Sequence, residues 1–410
     1  MKIIMLRPSY YPEISGGTHL AMDLVEDMIN QGIEVNLIVP SSYRKNRNYE
    51  LNLSNYEEKF DGNLKINRVS VDFPESNIIF RAIRMLLITI KMMYIAIKIE
   101  NINLIVSHSM PPFLGPLCVL IGKVKSIPVL YWEQDILSES LITTGVANKG
   151  VKKKILFNIA KILENISSKG SKHIITISNK FVNRQIKMGK NKDDVTCIYN
   201  WIDTDILYPI ARKDNKLFNK FGLDKNKFYV TYCGNLGIPQ NVEILVDAAK
   251  NLKYIKDLQI VIFGDGVRKN KIQDYINQYK LDNVKLLPLQ PLEDAKYVYS
   301  LGDVGVVIGK KGTSNNGFPS KTWSIMAAGQ AMISCFDIDS ELSNFVKEGK
   351  CGISIEPDNA NKLEYAILQL YNNREQVKVY GMNSRNYVVK NFGRKAATSK
   401  FIQIVNSFIK

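Results

Sequence analysis

Short apolar runs of strand length alternate with longer stretches of helical periodicity along the whole chain. That order is accommodated by a parallel sheet with helices on both faces. "KIIML" (2–6) reads as a strand that ends in the loop "RPSYYPEISGG". "THLAMDLVEDMINQG" follows with apolar residues at helical spacing, and "IEVNLIVP" is the next strand. This is a β-loop-α-β unit. It recurs through "LKINRVSV", a helix near 78–100, "NLIVSHS", a helix near 112–125, "IPVLYWEQD", a helix near 151–168, "HIITIS", a helix near 179–188 and "DVTCIYN".

After "NWIDTDILYP" the chain turns polar and charged in "IARKDNKLFNKFGLDKNK", which reads as a linker. A second alternation then runs through "FYVTYCGN", a helix near 240–252, "LQIVIFGDG", a helix near 268–279, "VKLLP", a helix near 292–301, "VGVVIG", a helix near 320–329 and "AMISCF", and closes with helices. The reading is α/β, with two Rossmann-like domains in tandem. A chain of 410 residues is too long for one ordinary core, which agrees.

Five stretches carry candidate chemistry. "PEISGGTH" (12–19) places Gly16 and Gly17 between a strand and its helix, where backbone amides can approach an anion. "YCGNLGIPQNVE" (232–243) opens the second half in the same way with Gly234, Asn235 and Gly237. "FGDGVRKNKI" (263–272) supplies Gly264, Asp265 and Gly266, followed by Arg268 and Lys269. "NNGFPSKTWSIMAAGQ" (315–330) puts Pro319, Ser320 and Lys321 at the mouth of a helix, the layout of an anion site. "YWEQDILSES" (131–140) sets Glu133, Asp135 and Glu139 at the end of a strand, where ligands of such sheets gather. Asp135 also suits a helix N-cap.

In this order the stretches resemble glycosyltransferase family 4, and within it the bacterial transferases of the colanic-acid and O-antigen type. The likeness rests on "PEISGG", "HSMPPFL" (108–114), "EQDILSES", "NWID" (200–203), "YCGNLGIPQNVE", Gly264-Asp265-Gly266 and "PSKTWSIMAAGQAM" (319–332). It spans nearly the whole chain. The resemblance implies the GT-B fold: an acceptor-binding domain over 1–205, a nucleotide-sugar domain over 206–393, a cleft between them, and a C-terminal helix, about 394–410, that returns to the first domain.

It also implies the chemistry. The anion becomes the diphosphate of a nucleotide sugar, held by Lys321, by Arg268 or Lys269, and by the glycine turns at Gly16–Gly17 and Gly234–Gly237. Pro319, Ser320, Asn316, Gly317 and Ser324 complete the donor site, and His108, Trp132 and Glu133 the acceptor site. Asp135, beside Glu139, orients the acceptor or the donor. The departing phosphate serves as base, and the anomeric configuration is retained. No cofactor or metal is implied, because fixed cations and dipoles neutralise the leaving group. Two departures stand out. Asn316 and Ser324 occupy the positions of the family's Glu-x7-Glu pair, and Asn235 and Gln240 those of an Arg and a Lys.

The net charge of +16 suits polyanionic partners, although a Lys-, Ile- and Asn-rich composition also follows from an AT-rich genome. In the helix near 78–100, Arg81, Arg84, Lys91 and Lys98 share one stripe beside a wide apolar surface. Those cations rule against a membrane span. They leave a buried crossover helix with one solvated edge, or a helix lying in the membrane plane. With the resemblance, the expected acceptor is a saccharide on a polyprenyl diphosphate, at the cytoplasmic face of an anionic membrane. No basic, aromatic-interleaved patch suggests nucleic acid. The first turn lacks GxGxxG, which argues against an NAD-dependent oxidoreductase. A sugar-nucleotide epimerase and a non-catalytic basic binding protein are the alternatives. The N-terminus reads as a first strand rather than a signal peptide. The five scattered cysteines read as small hydrophobes in a reducing compartment, and the three distant histidines give no zinc constellation.

Overall fold

The computed structural model describes residues 1–13, 17–41, 56–73, 78–139, 151–315 and 318–408. Gly16, Asn316 and Gly317 lie outside the described residues. The chain divides into two compact units: Met1–Asn200 with Ala397–Lys410, and Trp201–Ala396.

The first unit holds a parallel seven-stranded sheet: β1 (Lys2–Leu6), β2 (Glu34–Pro40), β3 (Leu64–Val69), β4 (Leu104–His108), β5 (Val129–Glu133), β6 (His173–Thr176) and β7 (Val195–Cys197). Its spatial order is β3-β2-β1-β4-β5-β6-β7. β1, β4 and β5 are apolar runs because both faces are covered, and Ile3, Ile4, Met5, Leu104, Ile105 and Leu130 have no more than trace exposure. Helix Thr18–Asn30 starts on Gly17, whose φ of 88° is a left-handed value that glycine adopts freely. Part of the C-terminal helix, Arg394–Asn406, belongs to this unit. There Thr398 Oγ1 donates to Asp27 Oδ2 at 2.7 Å, and Phe401 meets Trp132 edge to face at 5.2 Å.

The second unit holds a parallel six-stranded sheet: β8 (Phe228–Asn235), β9 (Leu258–Asp265), β10 (Val284–Leu287), β11 (Val304–Ile308), β12 (Ala331–Cys335) and β13 (Gly352–Ile355), in the order β10-β9-β8-β11-β12-β13. In each sheet the strand order reverses beside the first strand, between β1 and β4 and between β8 and β11. Ligands of open α/β sheets bind outside the carboxyl ends of the strands at such points. Side-chain caps fix several helix starts: Ser340 accepts from the Ser343 amide, Asn359 from Lys362 and Asn373 from Gln376.

Two expectations need correction. The polar stretch after "NWIDTDILYP" is not a linker. Its Leu217 and Phe218 are buried in a cluster with Tyr229, Val261 and Phe263, and Arg212 pairs with Asp303 at 2.7 Å. The two compact units divide at Asn200 and Trp201. The closing segment also contains helix Glu341–Glu348 and edge strand β13.

The helix over 78–98 is apolar on two faces. Ile88, Met92 and Ala96 are buried against the sheet, while Phe80, Ile83, Leu86, Ile90, Tyr94 and Ile97 are exposed. Arg81, Lys91 and Lys98 are exposed beside that outer stripe, and Arg84 is half-buried. Lys91 Nζ donates to Ser70 O at 2.9 Å, and Lys98 sits 4.2 Å from the Tyr94 ring centroid. Among the described residues, no helix is long and apolar enough to cross a membrane.

Candidate active site

In the second unit, β8 runs into Gly234-Asn235-Leu236-Gly237 and β9 into Gly264-Asp265-Gly266, with Gly234 beside Gly264. The two turns are locked together. The Leu236 amide donates to Asp265 O at 2.8 Å, and the Arg268 amide to Leu236 O at 2.9 Å. A Cβ on Gly264 would stand 2.8 Å from Gly234 O, and one on Gly266 2.7 Å from Leu236 O. These two glycines therefore allow backbone to pack on backbone. One of the amides expected for an anion, that of Leu236, is already spent.

Lys321 opens the helix Lys321–Ala327 and turns its side chain under the first of these turns. Its Nζ lies 3.8 Å from the Tyr232 ring centroid, and 3.0 Å from where a Cβ on Gly234 would be. Only glycine, here with φ 141°, leaves room for the ammonium. The ammonium is buried and makes no hydrogen bond among the described residues. Burial lowers its pKa to about 8, with Cys233 opposing weakly. A buried cation costs free energy unless something pairs with it.

The other expected donor groups are distributed unevenly. Arg268 Nε lies 3.6 Å from Glu243 Oε1, and Lys271 Nζ 3.7 Å from the same oxygen. Lys269 pairs with Asp265 at 3.5 Å, and the Asp265 carboxylate also takes the Gly266 amide. Ser324 hydrogen-bonds the Tyr299 hydroxyl, which burial holds protonated. Asn235 and Ser320 are exposed, and Pro319 is half-buried beside Phe318, which stacks on Trp323 at 4.7 Å.

In the first unit the candidates collect past β1, β4 and β5. His108 ends β4, and its Nδ1 accepts from the Met110 amide at 3.0 Å. Burial, then the charge on Arg7, holds its pKa well below the usual imidazole range, so it is neutral. Its ring meets Trp132 edge on at 6.2 Å. Ser109 Oγ accepts from the Gln134 and Asp135 amides, both at 3.1 Å, and fixes the turn after β5. Gln134 and Asn200 exchange two amide hydrogen bonds of 2.9 Å, which ties "EQD" to "NWID". The Asp135 carboxylate reaches solvent and makes no hydrogen bond or ion pair among the described residues, so it does not cap the helical turn after it. The protein packed round it pushes its pKa up.

Glu133 and Glu139 point elsewhere. Glu133 is 1% exposed, accepts from Gln185 Nε2 at 2.6 Å and lies 3.6 Å from Arg184. Arg184 also pairs with Glu139 and Glu164. Burial raises the Glu133 pKa to about 7, with Gln185 and Arg184 opposing. Sequence reasoning missed Arg184, which gathers three carboxylates. It also missed Arg7, the first residue past β1, whose guanidinium lies 4.8 Å from the Trp132 ring centroid. Among the described residues, no group of three or more His, Cys, Asp or Glu could hold a metal ion. All five cysteines are free thiols, with Cys118, Cys335 and Cys351 buried.

Two family descriptions match in tandem: Glycosyltransferase Family 4 over residues 14–206, and Glycosyl transferases group 1 over residues 213–387. The chain belongs to the family 4 glycosyltransferases. As a GT-B glycosyltransferase it is 24% identical, over 90% of its length and 92% of the relative's, to WcaI of Escherichia coli (strain K12), whose name assigns it to colanic acid biosynthesis. Among solved structures it superposes on Alr3699/HepE of Anabaena, determined in complex with UDP, with TM-score 0.74 at 15% identity, covering 99% of this chain and 100% of that one. A glycosyltransferase of Rickettsia africae gives TM-score 0.73 at 18% identity, covering 100% of this chain and 98% of the other. These two likenesses show the fold.

Proposed function

We propose that this glycosyltransferase moves a sugar from a UDP-linked donor, with retention, to a polyprenyl-diphosphate-linked saccharide in bacterial surface-polysaccharide synthesis. The observation that carries the reading is the buried Lys321 ammonium, held against the glycine turn of β8 without a hydrogen-bond partner among the described residues. In glycosyl transfer the anomeric carbon–oxygen bond breaks, and negative charge grows on the leaving diphosphate. A preorganised, desolvated cation stabilises that charge more than it stabilises the ground state. Lys321 supplies it at the donor diphosphate, so no metal is required. Ser324 and Asn316 meet donor hydroxyls as neutral groups. Asp135, a carboxylate with no competing partner among the described residues, orients the acceptor hydroxyl, and the departing phosphate takes that hydroxyl's proton. The relative assigned to colanic acid biosynthesis and the UDP-bound fold relative support polysaccharide synthesis and a UDP donor.

The same proposal places the enzyme peripherally on the inner face of the cell membrane. Helices Ile78–Lys98, Leu114–Lys125 and Val151–Gly170 pack side by side. Their outer surface exposes Leu86, Ile90, Tyr94, Val124, Ile159 and Ile162 together with Lys91, Lys123, Lys154 and Lys161. Apolar area flanked by cations suits an anionic bilayer, where each surface Lys or Arg contributes about 1 kcal/mol.

The test is a radiolabelled panel of UDP-hexoses and UDP-N-acetylhexosamines with lipid-linked acceptor, with and without EDTA. Transfer of label to lipid that EDTA leaves unchanged is expected. Epimerisation of the donor without transfer, or dependence on a divalent ion, would overturn the proposal.

A further inference from the structure

Arg7 lies where the first sheet reverses its strand order, the first residue beyond β1 and beside the end of β4. It is 2% exposed. One nitrogen, Nη2, donates to Gly17 O at 3.3 Å. Nε and Nη1 are buried and make no hydrogen bond among the described residues. No carboxylate pairs with it among the described residues: Glu13 is 3.5 Å from Arg68, and Glu133 is taken by Gln185 and Arg184. Among the described residues, the titratable groups that interact with its charge are neutral. Tyr10 is fully buried with its hydroxyl against that of Tyr56, and its pKa is pushed well above the ordinary value. His108 and His19 are held deprotonated by burial and by Arg7 itself. The guanidinium face is covered by the Trp132 ring. Desolvation lowers the Arg7 pKa to about 10, so it remains charged near neutral pH.

A cation kept from water with no counter-charge is a poor structural element, because the protein bears its desolvation cost without the Coulombic return. The Nε–H and Nη1–H groups lie on opposite edges of the guanidinium plane, and each is a charge-assisted donor that an oxyanion oxygen can take up. We infer that Arg7 is the anchor of a second anion socket, in the first unit, that takes an oxyanion group of a substrate. Resting on the glycosyltransferase reading, that group has two sources. It is either the donor diphosphate, or an acidic group on the acceptor, which is its diphosphate or a sugar carboxylate. The socket is additional to the Lys321 site and lies on a different sheet. The Trp132 face and the Gly17 carbonyl hold the guanidinium plane in place, leaving Nε and Nη1 for the ligand.

The experiment titrates the full chain with UDP, inorganic pyrophosphate and glucuronate, by calorimetry and thermal shift, in wild type, Arg7→Gln, Arg7→Lys and Lys321→Ala. Arg7→Gln is expected to weaken at least one probe by about tenfold or more. Its unliganded Tm should be unchanged or higher, and Arg7→Lys should recover part of the affinity. Loss of UDP binding assigns the donor diphosphate. Loss of pyrophosphate or glucuronate binding with UDP unchanged assigns the acceptor. Lys321→Ala tests the donor-site reading separately, since it should lose UDP binding whatever Arg7 does. If every probe binds Arg7→Gln as tightly as wild type, the socket does not exist. If Arg7→Gln lowers Tm and Arg7→Lys restores no affinity, Arg7 is a structural prop for the Gly17 turn and the inference is overturned.

Discussion

Replacing Lys321 with methionine should stabilise the unliganded protein while it abolishes its use. Methionine keeps an unbranched stem of similar length against Tyr232 but removes the charge. The ammonium is buried without a hydrogen-bond partner among the described residues, and its pKa is lowered from 10.5 to about 8 by desolvation. A shift of that size corresponds to roughly 3 kcal/mol of folding free energy forgone while the group is charged. The lost contact between ammonium and Tyr232 ring offsets about 1 kcal/mol or more of the gain. A net rise of about 1–2 kcal/mol remains, or roughly 2–8 °C in the Tm of a unit this size.

The pH dependence carries its own sign. Between the folded pKa of about 8 and the unfolded value of 10.5, the unfolded chain binds more protons than the folded one. Wild-type stability from this group therefore rises with pH across that window, and the advantage of the Met variant should shrink from pH 7.5 towards pH 10. Nucleotide affinity should move the other way. On the proposed role of Lys321, UDP binding uses the protonated amine, so wild-type affinity should fall above about pH 8. The Met variant binds roughly 10- to 100-fold more weakly at pH 7.5, from the loss of a charge-assisted contact. The assays are differential scanning calorimetry and UDP titration at pH 7.5, 8.5 and 9.5. A lower Tm in Lys321→Met together with retained UDP affinity would overturn this assignment, because the lysine would then be a structural residue.

Asp135→Asn should cut turnover by about 100-fold or more while UDP affinity changes less than threefold, as expected of a group acting in the transition state; equal turnover would remove it from the chemistry. Arg184→Ala leaves Glu133 and Glu164 buried without their cation and should destabilise the first unit by about 3–5 kcal/mol, read by denaturant titration. The raised pKa of Glu133 means that the folded chain binds more protons than the unfolded between about 4.5 and 7, so stability from this group falls with rising pH there. Glu133→Gln should flatten that part of the profile. Flotation with anionic vesicles should recover the wild type, and Leu86→Glu with Ile90→Glu and Ile159→Glu should reduce recovery severalfold; recovery unchanged by these substitutions would separate the three-helix surface from membrane binding.

The sheets were legible because strands buried on both faces must be nearly all apolar, and "KIIML", "LIVSH" and "LQIVIF" have no other reading. Strand β13 was missed for the same reason in reverse. "GISI" is short, alternates with polar residues and lies at a sheet edge. The polar stretch after residue 209 was misread because Leu217 and Phe218 are isolated among lysines, and only their burial reveals them. The glycine turns were visible, but their tight mutual packing was not, since Gly264 and Gly234 are brought together by strand pairing.

Charges show most sharply what a sequence withholds. Arg268 and Lys321 look alike on paper, each a cation beside a glycine turn and ahead of a helix. In the fold Arg268 has Glu243 at 3.6 Å, whereas the Lys321 ammonium has no hydrogen-bond acceptor among the described residues. Arg7 and Arg184 are both buried arginines of the first unit, yet Arg184 is surrounded by Glu133, Glu139 and Glu164, and Arg7 by neutral rings. Partners of this kind come from distant stretches of chain, so residue type and spacing cannot announce them. The physical distinction is nonetheless simple. A buried cation whose carboxylates are supplied by the fold adds to structure, and its removal should lower stability. A buried cation whose counter-charge is withheld is a standing cost to the unliganded protein, and selection retains it only where a ligand brings the missing anion. That criterion is the ground for the proposed roles of Lys321 at the β8 turn and Arg7 at the end of β1, one on each sheet. Arg184, the more heavily charged cluster, is scaffolding that holds the turn after β5 in place.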